Sequence, residues 1–323
     1  MADLARLGAK PCLVIGRAGM DLYADPPGTP IEAATRFTSA LGGSSANIAV
    51  ALTRAGGQAA LLTCVSDDAV GRFCLAQLDA CGVDRAHVRA SGGEARNSLA
   101  VVETRLEDCQ SVIYRNGAAD FDMTTADVQA VDYDRFGALI TTGTVLAREP
   151  SRTATFRAFE LARAAKLPLI FDIDYRPYSW RSAAEAADVY SRAAALCDVI
   201  VGNDVEFGFM AGDPRLGLEK ARSLGAQIVI YKMGEKGAIT VTASGEIRTG
   251  IYHTETLKPT GAGDAFLGNL VASLAQGRTV EEAVLHGSAA AAIVVSRVAC
   301  APAMPTREEL DRFIALHSGP TLA

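Results

Sequence analysis

No stretch of this chain approaches the ~18 uninterrupted apolar residues that a membrane span needs. The opening MADLARLGAKPCLVIG carries only scattered apolar residues before its first strand, so neither a leader nor an anchor is read there and a cytoplasmic protein is expected. Histidine is scarce: His87, His253, His286 and His317 lie far apart and form no HExxH. Neither a zinc site nor a Ser/His triad finds support, and the four read as surface or core residues. The cysteines Cys12, Cys64, Cys74, Cys81, Cys109, Cys197 and Cys300 contain no CxxC and are odd in number. Most sit inside apolar runs, as buried thiols of a reducing compartment do. Blocks of Lys and Arg are also missing. With 31 basic against 37 acidic side chains and a net charge of -6, the chain has no electrostatic footprint for nucleic acid or an anionic membrane. Any anionic ligand must be held by local donors, and the partner should be small.

What is present is an ordinary globular composition, 49% hydrophobic over 323 residues. At ~100 to 200 residues per domain that allows one large α/β domain with an accessory piece, or two domains. No internal repeat or low-complexity linker interrupts it. Short apolar runs rich in β-formers (CLVI, ALLTCV, ALITT, LPLIFDID, DVIVGN, QIVIYK) alternate with Ala-rich helical stretches. That alternation predicts a mainly parallel sheet flanked by helices. Helix punctuation is clear. Ser44/Ser45 are expected to cap a helix ending at Gly56-Gly57, a second helix runs from Asp68 to Gly82, and a third opens after Thr260 and stops at Gly277. Residues 17–40, with Pro26, Pro27 and Pro30, and residues 92–117, where SLAVVETR and QSVIYRN alternate around an acidic turn, break the pattern. They predict a small discontinuous β lid.

In an open α/β sheet, ligands gather at the carboxyl ends of the strands near helix N-termini. The strongest candidate there is LKPTGAGDAFLGNLVASLAQG, residues 257–277. A Gly-Ala-Gly turn entering a helix leaves the amides of Gly261, Ala262 and Gly263 pointing outwards, with the positive end of the helix dipole behind them. Glycine permits close approach of a phosphate, and Asp264 places a carboxylate beside it. The helix terminus is expected to lower the pKa of Asp264 and keep it ionised as a proton acceptor. The plainer alternative is a tight strand-to-helix turn with Asp264 as a first-turn stabiliser. Phe266 stands where GxGxxG requires glycine, and no GxxxxGK[ST] occurs, so dehydrogenases and P-loop enzymes both lose ground. A second segment, LGGSSANIAVALTRAGG, puts Gly42 and Gly43 before a helix with Asn47 on its first turn. Bare backbone plus a carboxamide suits sugar hydroxyls.

Together these segments resemble, in order and separation, the N-terminal Gly-Gly…Asn and C-terminal GAGD signatures of the PfkB (ribokinase-like) carbohydrate kinases, and the resemblance extends over nearly the whole chain. It implies one kinase domain across residues 1–323, a three-layer α/β/α sandwich with a mainly parallel central sheet and a β lid. It implies ATP and Mg2+ as cofactors, Asp264 as general base and Gly261 to Gly263 as the anion hole. Asp21, in GMD, would take substrate hydroxyls. Asn203 and Glu206, in NDVE, match the family's NxxE and would organise magnesium and its waters. Lys232, Gly234 and Gly237, in KMGEKG, would lie by the triphosphate, and the Ala-rich helix around Ala289 to Ile293 would line the adenine pocket.

Two features narrow the substrate. FDIDYRPYSW places Asp172, Asp174, Tyr175 and Arg176 at a strand's carboxyl end, and YRNGAAD puts Arg115 on the lid. Arginine suits bidentate carboxylate recognition. One guanidinium could bind an acid substrate and the other the transferring phosphate, or either could be a structural partner of a nearby Asp. These segments resemble the branch of the family that phosphorylates 5-dehydro-2-deoxy-D-gluconate to its 6-phosphate in myo-inositol breakdown. Kinases of 2-keto-3-deoxygluconate, fructose or a nucleoside remain alternatives within the fold, and a non-catalytic sugar sensor or a nicotinamide oxidoreductase outside it. The second feature is Lys258, where most relatives carry an Asp that helps bind a monovalent cation. An ammonium resembles potassium in size and charge, so Lys258 is expected to act as a tethered cation, and the downstream cation loop is also altered around Ala299 and Cys300. The lid edge, whose exposed strands need covering, offers a homodimer surface.

Overall fold

The computed structural model describes residues 3–8, 10–317 and 319–320. Its strands are β1 (Cys12–Ile15), β2 (Gly19–Asp25), β3 (Arg36–Gly42), β4 (Ala59–Ser66), β5 (Asp84–Ser91), β6 (Ser98–Val102) and β7 (Ser111–Tyr114). The remainder are β8 (Ala138–Thr142), β9 (Leu169–Asp172), β10 (Val199–Asn203), β11 (Ile228–Lys232), β12 (Ala238–Thr242) and β13 (Gly245–Thr249). Helices α1 (Ser44–Arg54), α2 (Ala69–Ala80), α3 (Thr125–Gln129), α4 (Ser151–Ala164) and α5 (Ala183–Ala194) belong to the first two thirds of the chain. They are followed by α6 (Asp204–Ala211), α7 (Gly217–Ser223), α8 (Ala262–Ala275), α9 (Val280–Val295) and α10 (Arg307–Leu316).

Nine strands form the main sheet in the order β13-β12-β11-β10-β9-β8-β1-β4-β5. The pairings from β11 through β5 are parallel, and β12 and β13 add an antiparallel edge. Strand side chains alternate between two apolar layers, as the period of two requires. Cys12 and Val14 join Ile48, Phe266, Leu270, Val284 and Leu310 on one face. Leu13 and Ile15 join Phe159, Val189, Tyr190 and Phe207 on the other. The sheet is therefore sandwiched by α1, α2, α8, α9 and α10 on one side and α3 to α7 on the other. Each fully buried side chain such as Leu61 contributes about 1.5 to 3 kcal/mol.

A second sheet of four strands, ordered β3-β2-β6-β7, occupies the two stretches where the sequence breaks its β/α alternation. SLAVV and SVIY pair antiparallel, with Leu99 opposite Tyr114, while β2 and β6 run parallel and join the two segments. Two local expectations need correction or extension. The cap of α1 is Gly43, with φ 97°, and no side chain caps it; Ser44 and Ser45 are already helical, and Ser45 Oγ instead donates to Ile15 O at 3.0 Å. Strand β5, mostly exposed, has too few apolar residues to announce itself in the sequence. Asp68 does cap α2, accepting from the amides of Val70 and Gly71. No helix among the described residues is long and apolar enough to cross a membrane.

Candidate active site

A cavity of about 830 Å³ lies at the carboxyl ends of the central strands, with Asp172, Asn203 and Lys232 reaching it from β9, β10 and β11. Asp21, Tyr23, Ala100 and Ile113 of the small sheet roof it, and Gly261 to Asp264 form part of its wall. Parallel strands all end on this side, so the loops that follow them converge there.

Helix α8 opens on Gly261, whose φ of 86° places it in the left-handed region, and no side chain caps the terminus. A Cβ at Gly261 would sit 2.9 Å from Cys300 Sγ, so glycine is required twice over. The first-turn amides of Ala262, Gly263 and Asp264 have no intrahelical acceptor by helix geometry. Beside them lies Lys232, whose Nζ is 3.5 Å from where a Cβ on Gly263 would be and 5.5 Å from the centroid of the Phe266 ring.

Asp264 is the third residue of α8 and accepts a hydrogen bond from Asn47 Nδ2 at 2.8 Å. Its carboxyl is pushed up to about 7, first by burial and then by the neighbouring Asp174 charge, against the lowering effects of Asn47, Arg176 and Arg17. The residue as a whole is half-buried because it faces the cavity, yet the surrounding protein crowds its carboxyl. This overturns the expectation of a depressed pKa. The helix terminus does favour the anion, but desolvation outweighs it. A base that titrates near neutral pH is well matched to taking a proton in that range.

Asn47 lines the cavity beside Asp264, and its own Oδ1 is buried without a partner among the described residues. Asp21 shows the same pattern. Its Oδ2 accepts from the Tyr23 hydroxyl at 3.1 Å, and its Oδ1 is buried with no partner among the described residues. Burial raises its pKa, partly offset by the Arg17 charge. A Cβ on Gly42 would fall 2.0 Å from Asp21 Oδ1, so the missing side chain is what lets this carboxylate lie against β3. Gly43 is equally constrained: its Cβ would meet Arg17 O at 2.5 Å.

On the opposite wall, Asn203 and Glu206 form a reciprocal capping box at the start of α6. Asn203 Oδ1 accepts from Glu206 N at 2.9 Å, and Glu206 Oε2 from Asn203 N at 2.8 Å. Glu206 Oε1 accepts from Tyr175 N at 3.1 Å. Asp172 and Glu206 both have raised pKa values, caused by burial and opposed by Lys232. Burial, aided by the repulsion among Asp172, Asp174 and Glu206, outweighs the attraction of that ammonium. Among the described residues no three acidic, histidine or cysteine side chains converge as a protein-only metal cage. The oxygen-rich wall nonetheless suits a hard cation that keeps several waters. In the turn between β11 and β12, Gly234 and Gly237 have φ 58° and 78°, and a Cβ on Gly237 would lie 2.0 Å from Thr249 O.

Both arginines singled out in the sequence line the cavity, and both hold an aspartate. Arg115 is buried, ion-paired with Asp120, bonded to Thr144 O at 2.9 Å and stacked 4.0 Å from the centroid of Phe121. Arg176 pairs with Asp174 at 2.7 Å, and Asp174 itself has a φ of 39°, unusual for a residue with a side chain. Lys258 is fully buried. Its Nζ donates to Thr260 O at 2.6 Å and reaches Val294 O at 3.4 Å, and burial lowers its pKa. Nearby Ala299 adopts a φ of 66°. Of the Ala-rich stretch of α9, Ala291 and Ala292 face the cavity together with Val284, Ser288 and Val295, whereas Ala289 and Ala290 pack into the core. Sequence reasoning missed Arg17, which lines the cavity just after β1. The signal available was its position in GRAGMD, at the carboxyl end of the first strand.

Comparison with known proteins places this geometry. The family described as "pfkB family carbohydrate kinase" matches residues 9–307. A 5-dehydro-2-deoxygluconokinase of Photobacterium profundum is 38% identical over 310 residues, covering 94% of each chain. The crystal structure of a PfkB protein from Polaromonas sp. JS666 superposes with a TM-score of 0.80 at 28% identity, over 94% of this chain and 99% of that one. A Vibrio cholerae fructokinase, solved with fructose, ADP and calcium bound, gives a TM-score of 0.84 at 25% identity over 94% and 99% of the two chains. The α/β architecture is thus the ribokinase-like one.

Proposed function

The chain belongs to the pfkB family of carbohydrate kinases, and from that premise we propose that it transfers the γ-phosphoryl group of ATP to the 6-hydroxyl of 5-dehydro-2-deoxy-D-gluconate. The observation that carries the chemistry is the open N-terminus of α8 with Asp264, held by Asn47, beside it. The acid substrate rests on the relative at 38% identity and on a cavity that gathers Arg17, Arg115 and Arg176.

Phosphoryl transfer passes through a loose transition state, so positioning and charge stabilisation matter more than covalent work. Asp21, with a free Oδ1, accepts a substrate hydroxyl and fixes the sugar. Asp264 takes the proton of the attacking hydroxyl. The amides from Gly261 to Asp264 and the Lys232 ammonium face the migrating oxygens. Magnesium would be held by Asn203 and Glu206 through waters, next to Asp172, and when bound it neutralises charge on the triphosphate. The small sheet acts as a lid that excludes water and suppresses ATP hydrolysis. Lys258 stands in for a monovalent cation, since its ammonium already gathers the Thr260 and Val294 carbonyls. Buried free thiols such as Cys12 and Cys197 fit a cytoplasmic setting. Exposed Phe37, Val112 and Tyr114 on β3 and β7 support a homodimer through the lid.

An ADP-release assay over a panel of sugar acids and neutral sugars tests the reading, with the phosphorylated hydroxyl located in the product. Turnover is expected to be highest for 5-dehydro-2-deoxygluconate. A preference for 2-keto-3-deoxygluconate or for a neutral sugar overturns the substrate, and ADP release with none of them overturns the kinase reading. Turnover should be indifferent to replacing potassium by a bulky organic cation; strong stimulation by potassium would remove Lys258 from its role.

A further inference from the structure

Three arginines line the cavity, and they differ in what they already hold. Arg115 is committed to protein: Asp120 and Thr144 O take its terminal nitrogens, and its Nε is buried without a partner among the described residues. Arg176 is neutralised by Asp174 and bonds Tyr175 O. Arg17 is different. It is 9% exposed, yet among the described residues its side chain makes one hydrogen bond, from Nη1 to Ser98 Oγ at 3.1 Å, and no ion pair. Its Nε and Nη2 have no protein partner among the described residues and open on the cavity, where an anion can complete their shell.

The surroundings keep that guanidinium in place. Arg17 stands two residues after β1, and its carbonyl accepts the Ala46 amide at the start of α1 at 3.2 Å. Gly19 leaves room for it, since a Cβ there would lie 3.3 Å from Arg17 Nη1 and 2.6 Å from Ser98 Oγ. Its charge reaches both Asp21 and Asp264 strongly enough to oppose the rise of each carboxyl. Arg176 acts instead among Asp174, Glu206 and Asp264, towards the acidic wall.

We infer that Arg17 is the residue that recognises the carboxylate of the acid substrate, with its unpaired Nε and Nη2 supplying the charge-assisted hydrogen bonds, and that Arg115 and Arg176 are not. This rests on the sugar-acid kinase reading and goes further by naming the specificity-determining side chain. A planar guanidinium offers the two parallel donors that a carboxylate accepts.

The test compares kcat/KM for 5-dehydro-2-deoxygluconate with that for its neutral methyl ester, in the wild type and in Arg17→Met, Arg17→Lys, Arg115→Met and Arg176→Met, with thermal melts of each. Arg17→Met is expected to lower the acid-to-ester ratio by about 10- to 10²-fold, mainly through KM, as loss of a hydrogen bond to a charged group does. Arg17→Lys should recover part of it. A wild type without preference for the acid overturns the substrate reading and this inference with it. A wild type that prefers the acid while Arg17→Met keeps the full preference overturns the inference alone, as does loss of the preference in Arg176→Met or Arg115→Met but not in Arg17→Met. Should Arg17→Met fail to fold, Arg17→Lys decides, and a ratio equal to the wild-type value overturns the assignment.

Discussion

Two helices, α6 and α8, point their N-termini at the same cavity, and they are finished in opposite ways. At α6 the chain caps itself, with Asn203 and Glu206 satisfying each other's amides. At α8 the cap is Gly261, which has nothing to donate an oxygen. Both termini carry the positive end of a helix dipole and an acidic residue at the third helical position, Glu206 and Asp264. Glu206 spends its oxygens on backbone amides; Asp264 receives one side-chain bond from Asn47. The closed terminus supplies a rigid, oxygen-rich wall, whereas the open one leaves amides for a ligand and a carboxylate for a proton.

The sharpest way to break this contrast is Asp264→Asn. Turnover should fall by about 10² to 10⁴, the usual loss on removing a general base, as measured by ADP release under saturating substrate. The wild-type rate should rise with pH through about 7, where Asp264 ionises; a profile flat from pH 5 to 8 would take Asp264 out of the role. Stability should move the other way. The unfolded carboxyl ionises near its ordinary value of 3.8 and the folded one near 7, so the folded state binds the proton more tightly. This group's contribution to stability therefore declines as pH climbs between those values and is lowest above the upper one. Asp264→Asn should raise Tm at pH 8 by on the order of 5 °C and have little effect at pH 4.

A smaller loss is expected from Gly261→Ala. The left-handed backbone and the contact with Cys300 must both give way, displacing the amides. Turnover should drop about tenfold or more, with a lower melting temperature, consistent with ~1 to 2 kcal/mol for a non-glycine residue in that region. Wild-type turnover would show that the open cap is not needed. Glu206→Gln should have the mildest effect on the transfer step. Its single amide oxygen can accept from only one of the Asn203 and Tyr175 backbones and its NH2 faces the other, so stability should fall by ~1 to 3 kcal/mol, while the magnesium concentration for half-maximal rate rises. A loss of turnover as large as that of Asp264→Asn at saturating magnesium would erase the distinction between the two termini.

Much of this contrast was visible in the sequence. The glycines at 261 and 263 followed by an acid announced an uncapped helix, and NDVE carries the Asn-x-x-Glu spacing of a capping box, although its reading there came from resemblance and not from capping. The strands with long apolar runs were legible because burial on both faces leaves no alternation. Strand β5 was not, since its exposed edge looks like a loop. Asp264 was misjudged because a helix terminus is local, whereas the burial and the Asp174 charge that raise its pKa come from other parts of the chain. The arginines were visible as residues, with a pair to a nearby Asp as one of two readings: Asp120 and Asp174 sit close in sequence, and only the fold shows that both are turned to Arg115 and Arg176.

The sequence by itself determined what depends on short-range geometry: the β/α alternation, the positions where a glycine must open a helix, and the family signatures that follow from them. Tertiary structure alone decided which charges are compensated. Asn47 and Asp264 stand 217 residues apart yet share a hydrogen bond, and Lys258 is fully enclosed among carbonyls from two separate segments. Desolvation and Coulomb forces act through space rather than along the chain, so they exist only once the layers have packed.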